Sequence, residues 1–185
     1  MIKLQKDIFN TFSICNQGET ARKNKEVFNT VFEMELRIML LMSSVPELFF
    51  SSTRILAFDF INCYAKVFGI ALENLHGNND FMYAEMAGRR SLVTEAIKKL
   101  VRHGILKVKN NQGYQYKITD YGLEISNGFH STYAEEYRRV SRLSAKKYSC
   151  KNDEELLCTC QQKLDTKLKK SGIKNESMYK IHQLF

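Results

Sequence analysis

The sequence predicts a mainly α-helical protein with one small β-hairpin, arranged as a winged helix-turn-helix. Two observations carry this prediction. Three amphipathic segments with helical spacing precede a pair of alternating strands, and one further helical segment follows them. A lone hairpin is marginally stable in water and needs a helical layer beneath it, which these segments supply. We also expect an N-terminal arm before this domain and a C-terminal helical extension after it.

The first two helices are predicted from their apolar spacing and from residues that begin or end helices. Asn29 or Thr30 can cap the first helix, which should stop before Pro46 because the residue ahead of a proline disfavours helical geometry. The second should begin after the run 51–53, any residue of which can serve as N-cap. Their expected core positions are Phe32, Leu36, Met39, Leu40, Ile55, Phe58, Ala65 and either Ile61 or Asn62.

The third helix, the hairpin and the last helix follow one another closely. Residues 83–103 have one apolar stripe, and Gly104 ends that helix in the positive-φ conformation that glycine accepts. Residues 105–109 and 114–118 alternate with period two around the turn 110–113, which predicts a hairpin. Thr119 then caps one long helix, which should continue to about residue 145 through apolar side chains at every fourth position: Tyr121, Ile125, Phe129, Tyr133 and Tyr137.

These elements divide the chain into three parts. Residues 1–27 form the arm, residues 28–143 the winged-helix domain, and residues 144–185 a basic extension, partly helical through Leu156, Leu157 and Leu164. No apolar run reaches the roughly 20 residues that span a membrane. The N-terminus has no signal-peptide pattern, and the five cysteines are scattered, so we expect a cytoplasmic protein with reduced thiols.

The net charge of +8 is unevenly distributed along the chain. Residues 31–88 contain 3 basic and 7 acidic side chains, whereas residues 89–120 contain 8 basic and 2 acidic ones. The basic block suggests that residues 89–120 bind a polyanion or an acidic partner, and the acidic block suggests that residues 31–88 bind a second protein. A solvated face is the alternative explanation.

The basic block supplies the predicted DNA- or partner-binding residues. We place Arg89 and Arg90 at the start of the third helix, where their charges oppose the helix dipole and call for a compensating anion. In a helix-turn-helix this is the recognition helix. Three explanations stay open: a phosphate contact, a protein interface, or an internal ion pair with Asp80 or Glu85. The other members of the set are Lys98, Lys99, Arg102, Lys107, Lys109 and Lys117.

The second half of the last helix is the other predicted binding surface. Residues 133–140 are amphipathic, and the helix is longer than a winged helix needs to close its core. We expect it to bind a partner; packing against residues 1–27 is the alternative. The residues assigned to this surface are Tyr133, Tyr137, Arg138 and Arg139.

The sequence gives no support for catalysis or for a cofactor. It contains no G-x-S-x-G, H-E-x-x-H or phosphate-loop motif. Cys150, Cys158 and Cys160, with the distant His182, do not have the paired spacing of a structural zinc site. The other histidines are far apart in sequence, and we expect each at the surface or at a helix end. We therefore predict a non-enzymatic protein without a metal.

A set of single residues spread over the predicted domain forms a further pattern. Its positions are Phe28, Asn29, Arg37, Ile38, Arg89, Arg90, Leu100, Gly104, Ile105, Leu106, Tyr116, Thr119, Gly122, Tyr133 and Ala134. In this pattern the chain resembles the middle component of ABC-three-component systems, including the Lamassu type. The resemblance covers roughly residues 28–143 and leaves residues 1–27 and 144–185 outside.

The resemblance implies an accessory subunit of a bacterial defence complex. Such a subunit docks on an SMC-like ATPase and helps to restrain an effector nuclease until foreign DNA is sensed, and the catalytic residues lie on those other chains. Arg89 and Arg90 would contact DNA without sequence preference, or an acidic surface of a partner. A free-standing winged-helix transcription regulator, which should be a homodimer on a specific site, is the competing hypothesis.

Overall fold

The protein is mainly helical, with a small antiparallel sheet of three strands. The structure, a computed structural model, describes residues 30–78 and 82–170. In these ranges the elements are α1 (Val31–Ser44), β1 (Phe50–Ser51), α2 (Ser52–Cys63), α3 (Met82–Arg102), β2 (Leu106–Asn110), β3 (Tyr114–Ile118), α4 (Asp120–Asn127), α5 (Thr132–Lys147) and α6 (Asp153–Lys170).

Side-chain oxygens cap the helices where the sequence predicts it. Thr30 accepts a hydrogen bond from the Glu33 amide at 3.2 Å, and the Glu33 carboxylate accepts one from the Thr30 amide at the same distance. This reciprocal capping box satisfies two amide groups that a helix start leaves unpaired. Ser51 caps α2 by accepting a hydrogen bond from the Arg54 amide, and Thr119 caps α4 by accepting one from the Gly122 amide, in both cases without the reciprocal bond.

The predicted hairpin is present, and a third strand that we did not predict joins it. The strand order is β1-β3-β2, with Lys107 opposite Lys117 and Phe50 opposite Tyr116. β1 has only two residues, too few for the alternation from which a strand is predicted. It stands directly before α2, so it connects the helical layer to the hairpin.

Helices α1 and α2 lie at the centre of the core. Every residue from 55 to 63 is buried, and α2 packs against α3, α5 and α6, while α1 packs against α3, α4 and α5. Leu156, Cys160 and Leu164 of α6 belong to the same apolar cluster. The helix predicted in the C-terminal extension therefore exists and covers α2.

Two glycines occupy positions that a side chain would disturb. Gly104 ends α3 with φ 71°, the left-handed conformation predicted for it. Gly122 lies where α4 crosses the chain before β2, and a Cβ there would stand 2.5 Å from the carbonyl oxygen of Ile105. This close approach seats α4 against the sheet.

The single long helix predicted after Thr119 is wrong, because the chain forms two helices with a break at residues 128–131. Gly128 caps α4, and Ser131 begins α5 by accepting a hydrogen bond from the Ala134 amide at 3.1 Å. Arg138 stabilises the break, since its guanidinium donates to the carbonyls of Phe129 and Ser126. The four-residue spacing continues across the break and therefore hides it.

Three helices, the hairpin and further helices follow one another as in the predicted winged helix-turn-helix, with β1 and the break after α4 as additions, but one connection also differs. Residues 64–81 join α2 to α3, whereas a helix-turn-helix has a turn of about 3–4 residues. The mainly helical fold with a small sheet is confirmed, and the winged helix stays a prediction. The predicted arm, residues 1–27, lies outside the described residues.

Candidate functional site

A cluster of charged and polar side chains surrounds Asp59 in the interior. Oδ1 of Asp59 accepts hydrogen bonds from Arg37 Nε and from the Tyr137 hydroxyl, both at 2.8 Å. Oδ2 accepts one from Arg89 Nη1 at 2.7 Å. These donors come from α1, α5 and α3, while Asp59 stands on α2. One buried carboxylate thus joins four helices.

Two carboxylates balance the two arginines of this cluster. Glu85 accepts from Arg89 Nη2 at 3.0 Å and from the Tyr64 hydroxyl at 2.6 Å. The Arg89 guanidinium also lies over the rings of Phe60 and Tyr64, 5.7 and 5.8 Å from their centroids. A buried charge is tolerated only where it is paired and hydrogen-bonded. The pairing explains how Arg89 can be completely buried.

His76 connects this buried cluster to the surface. Its Nδ1 lies 3.3 Å from Arg89 Nη2, and its Nε2 lies 3.2 Å from the Tyr133 hydroxyl and 3.4 Å from Cys63 Sγ. Burial, together with the positive charges of Arg89 and Arg37, lowers the pKa of His76 to about 4. The ring is therefore neutral at pH 7. Because Arg89 can only donate, Nδ1 accepts, which leaves the ring proton on Nε2.

The protonation states of Asp59 and Cys63 follow from burial and from the neighbouring charges. Burial opposes ionisation of Asp59, but Arg37 and Arg89 outweigh it and lower the pKa of this carboxyl to about 2. Burial raises the pKa of the Cys63 thiol to about 11, so it is not a thiolate at neutral pH. Cys63 and His76 resemble a thiol–imidazole pair, yet the sulfur has no exposed surface from which to attack a substrate.

A cleft of about 810 Å³ lies beside the cluster. Its walls come from α1, the 64–78 connection, α3, the break between α4 and α5 and the start of α5, and most of its surface is apolar. Tyr133 stands at this cleft with 38% of its surface exposed. The lining residues include Leu36, Leu40, Leu75, His76, Phe129 and Ala134.

The structure corrects the role predicted for Arg89. Arg89 and Arg90 lie in the middle of α3 and not at its start, since α3 begins at Met82. The side chain of Arg89 has no exposed surface, so it cannot contact DNA or a partner directly. Of the three explanations left open, the internal ion pair with Glu85 is the one found, and Asp59 adds a second. Arg90 is exposed.

The other predicted basic residues fall into two groups. Lys98 pairs with Glu95 at 2.8 Å and Lys99 with Glu35 at 3.2 Å, both on α3, where Arg102 is also exposed. The second group consists of lysines on the hairpin: Lys107, Lys109 and Lys117. Whether either group binds DNA or a partner stays a prediction.

The four residues predicted to form the partner-binding surface also differ from one another in exposure. Tyr137 is wholly buried and donates to Asp59, so its assignment to a binding surface is wrong. Arg138 is half-buried and holds the end of α4. Tyr133 and Arg139 remain accessible, the latter paired with Glu136 at 2.6 Å. The buried face of α5 packs on α1 and α2 rather than on a partner.

Sequence reasoning missed Asp59 and His76. Asp59 is the one charged residue in the apolar run 55–61, and an isolated acid in such a run should have indicated a buried ion pair. His76 was expected at the surface or at a helix end, because its partners are far away in the sequence. Arg37 and Arg89, two residues that carry the family resemblance, meet at Asp59.

The described residues contain neither a candidate metal cluster nor a membrane-spanning helix. Among them, no group of three or more histidine, cysteine, aspartate or glutamate side chains is placed to hold a metal ion. Cys160 is buried, Cys150 and Cys158 are exposed, and His182 lies outside the described residues. In the same part of the chain, no helix has both the length and the apolar character needed to cross a membrane.

Comparison with known proteins identifies the family. No curated protein and no solved structure matches the chain. The family model of the ABC-three component system Middle Component 2 matches residues 27–170. The match begins where the resemblance was expected and continues beyond residue 143 to include α6. The chain therefore belongs to the Middle Component 2 family of ABC-three component systems.

Proposed function

We propose that this chain is a non-catalytic accessory subunit that bridges an SMC-like ATPase and an effector nuclease in a Lamassu-type bacterial defence complex. The observation that carries the proposal is the family match over residues 27–170, because a middle component works beside the other components of its system. In this proposal α1 to β3 form a winged helix-turn-helix, and β2 and β3 are its wing.

The buried cluster supports the non-catalytic part of the proposal. Its ionised groups pair with one another, and Asp59 and Arg89 are inaccessible to a substrate. A catalytic acid or base needs a pKa near the working pH and access to the reacting group. The pKa values of Asp59 and His76, about 2 and about 4, are both far below neutrality. The cluster fits a role in holding four helices in one arrangement.

The cleft beside Tyr133 supports the bridging part. Interfaces are enriched in tyrosine and in apolar pockets that exclude water around a few anchoring side chains. The apolar lining from Leu36, Leu40 and Phe129 suits an apolar side chain of a partner subunit, and the Tyr133 hydroxyl adds a polar contact at its edge. A partner that contacts Tyr133 would thereby be linked to His76, because the Tyr133 hydroxyl contacts the His76 ring.

Co-expression tests this proposal. The tagged full chain should be produced with the ATPase and the nuclease encoded next to it, and the purified material should contain all three. Tyr133→Ala should weaken retention of one partner by tenfold or more. Tyr121→Ala is the matched control, because Tyr121 on α4 is 39% exposed and does not line the cleft. Thermal unfolding of both variants establishes that they fold.

Two results would overturn the bridging role. One is purification of the chain without either partner under conditions in which both are expressed. The other is a homodimer that binds one DNA site far more tightly than unrelated DNA, which would support the transcription regulator instead.

A further inference from the structure

Three lysines share the outer face of the sheet. Lys107 lies directly opposite Lys117 across the β2–β3 pair, and Lys109 is two residues further along β2. Since side chains alternate between the faces of a strand, all three project to the same side, away from the buried Leu106 and Ile118. Like charges directly opposite each other destabilise a strand pair. The sequence therefore tolerates a local repulsion at this position.

Within the described part of the chain, no carboxylate relieves this repulsion. The three strands contain no aspartate or glutamate, and no ion pair within residues 30–78 and 82–170 involves Lys107, Lys109 or Lys117. On α3 the situation is different, because Lys98 and Lys99 each have a glutamate partner. Three members of the basic block that have no ion pair among the described residues thus stand together on the sheet, whereas Arg102 stands apart from them on α3.

Phe49 fixes two of these ammonium groups in place. Nζ of Lys109 lies 3.9 Å from the centroid of the Phe49 ring, and Nζ of Lys117 lies 5.5 Å from it. Such contacts hold a cation over an aromatic face without removing its charge. We call the surface formed by Phe49, Lys107, Lys109 and Lys117 the lysine face.

We propose that the lysine face binds the phosphate backbone of duplex DNA without sequence preference. Lysine is depleted in protein–protein interfaces, whereas lysine contacts to phosphate supply most sequence-independent affinity for DNA. Single-stranded nucleic acid would need an exposed ring on which a base can stack. Lys109 covers the ring of Phe49, so the face suits a backbone and not a base.

This site is distinct from the bridging role, because it is a property of the chain by itself. Its test therefore uses the full chain alone, and its failure would leave the bridging proposal standing.

The unrelieved repulsion between Lys107 and Lys117 predicts that one substitution changes thermal stability and DNA affinity in opposite directions. Lys107→Glu replaces a like-charge pair by an ion pair with Lys117, so it should raise the midpoint of thermal unfolding and lower the affinity for DNA.

Fluorescence anisotropy with a short mixed-sequence duplex, over salt from about 50 to 200 mM, measures the site. Replacing Lys107, Lys109 and Lys117 by Gln should reduce the slope of log affinity against log salt by about 2.7, since each phosphate that a lysine neutralises contributes about 0.9. The matched control replaces Lys66, Lys146 and Lys163 by Gln. These lysines are exposed on other surfaces, and the net charge changes equally. The control should keep the wild-type slope.

Several results would overturn the proposal. Absence of binding at the lowest salt, or an equal reduction of the slope in both triple variants, would exclude a site on the lysine face. Tighter binding of a single strand than of the duplex would point to stacking. A polyglutamate chain of equal charge that binds as tightly as the duplex, and no longer binds the same triple variant, would identify an acidic protein segment as the occupant.

Discussion

Arg89 on α3 and Asp59 on α2 form an ion pair of 2.7 Å in which neither side chain has more than 1% of its surface exposed. The pair explains why a basic residue that was expected on a binding surface lies in the interior instead. Arg37 makes a second buried pair with the same carboxylate at 2.8 Å. The helices that these residues stand on are held together by charge as well as by apolar packing.

Removing the central carboxylate should be severely destabilising. Asp59→Asn leaves Arg37 and Arg89 buried without their shared counter-charge, and we expect the free energy of unfolding to fall by about 3–5 kcal/mol. Urea unfolding followed by circular dichroism measures the decrease. The control is Glu95→Gln, which breaks an exposed pair with Lys98 and should leave the free energy of unfolding unchanged. A decrease no larger than that of the control would contradict a stabilising role for the buried carboxylate.

Apolar replacement of the whole cluster should recover much of this stability. The combination Arg37→Met, Asp59→Leu and Arg89→Met removes the buried charges together, and well-packed apolar groups can equal or exceed a buried ion pair in stability. We expect the triple variant to be more stable than Asp59→Asn in the same urea experiment. A triple variant no more stable than Asp59→Asn would contradict the view that the unpaired buried charges cause the loss of stability.

Stability should depend on pH through His76. Its pKa is about 4 in the folded protein and about 6.5 in the unfolded chain, so the unfolded state takes up the proton first. The contribution of neutral His76 to the free energy of unfolding is therefore fully present above pH 6.5. It is lost as the pH falls to about 4, and the loss over that interval is about 3 kcal/mol. Unfolding at a series of pH values should show this decline in the wild type, and His76→Gln should flatten it. The exposed His103 supplies the control, because His103→Gln should keep the decline.

Replacement by alanine should change the stability of the protein in opposite directions at two glycines. At Gly122 a new Cβ would meet the carbonyl oxygen of Ile105 at 2.5 Å, so Gly122→Ala should destabilise the protein by about 1–3 kcal/mol. At Gly88, in the middle of α3, a Cβ meets nothing within 4 Å, and Gly88→Ala should stabilise it by about 0.4–1 kcal/mol. Thermal and urea unfolding of both variants checks the difference; equal effects would contradict the close approach of α4 to the sheet.

The break between α4 and α5 depends on Arg138. Arg138→Leu removes the two hydrogen bonds that the guanidinium donates to the carbonyls of Phe129 and Ser126, and we expect the free energy of unfolding to fall by about 1–2 kcal/mol. Arg139→Leu removes only an exposed pair with Glu136 and should have the smaller effect in the same unfolding experiment. Equal decreases in the free energy of unfolding for Arg138→Leu and Arg139→Leu would contradict a stabilising role of Arg138 at the break.

Local patterns predicted most of the secondary structure but little of the site. Caps such as Thr30 and the turn at Gly104 depend on residues close in sequence, so the sequence indicates them directly. The partners of Asp59 stand on three other helices, and only the tertiary packing brings them together. Arg89 illustrates the same limit: its sequence context left a phosphate contact, a protein interface and an internal ion pair open, and only the packing of α3 turns this side chain inward to Glu85 and Asp59.

Native mass spectrometry of the complex purified after co-expression tests the bridging role most directly. We predict one assembly whose mass contains this chain, the ATPase and the nuclease. We also predict that the nuclease no longer accompanies the ATPase when this chain is left out of the co-expression. An ATPase–nuclease assembly that forms equally well without the chain, or a chain recovered only as a monomer or homodimer, would contradict the bridging role.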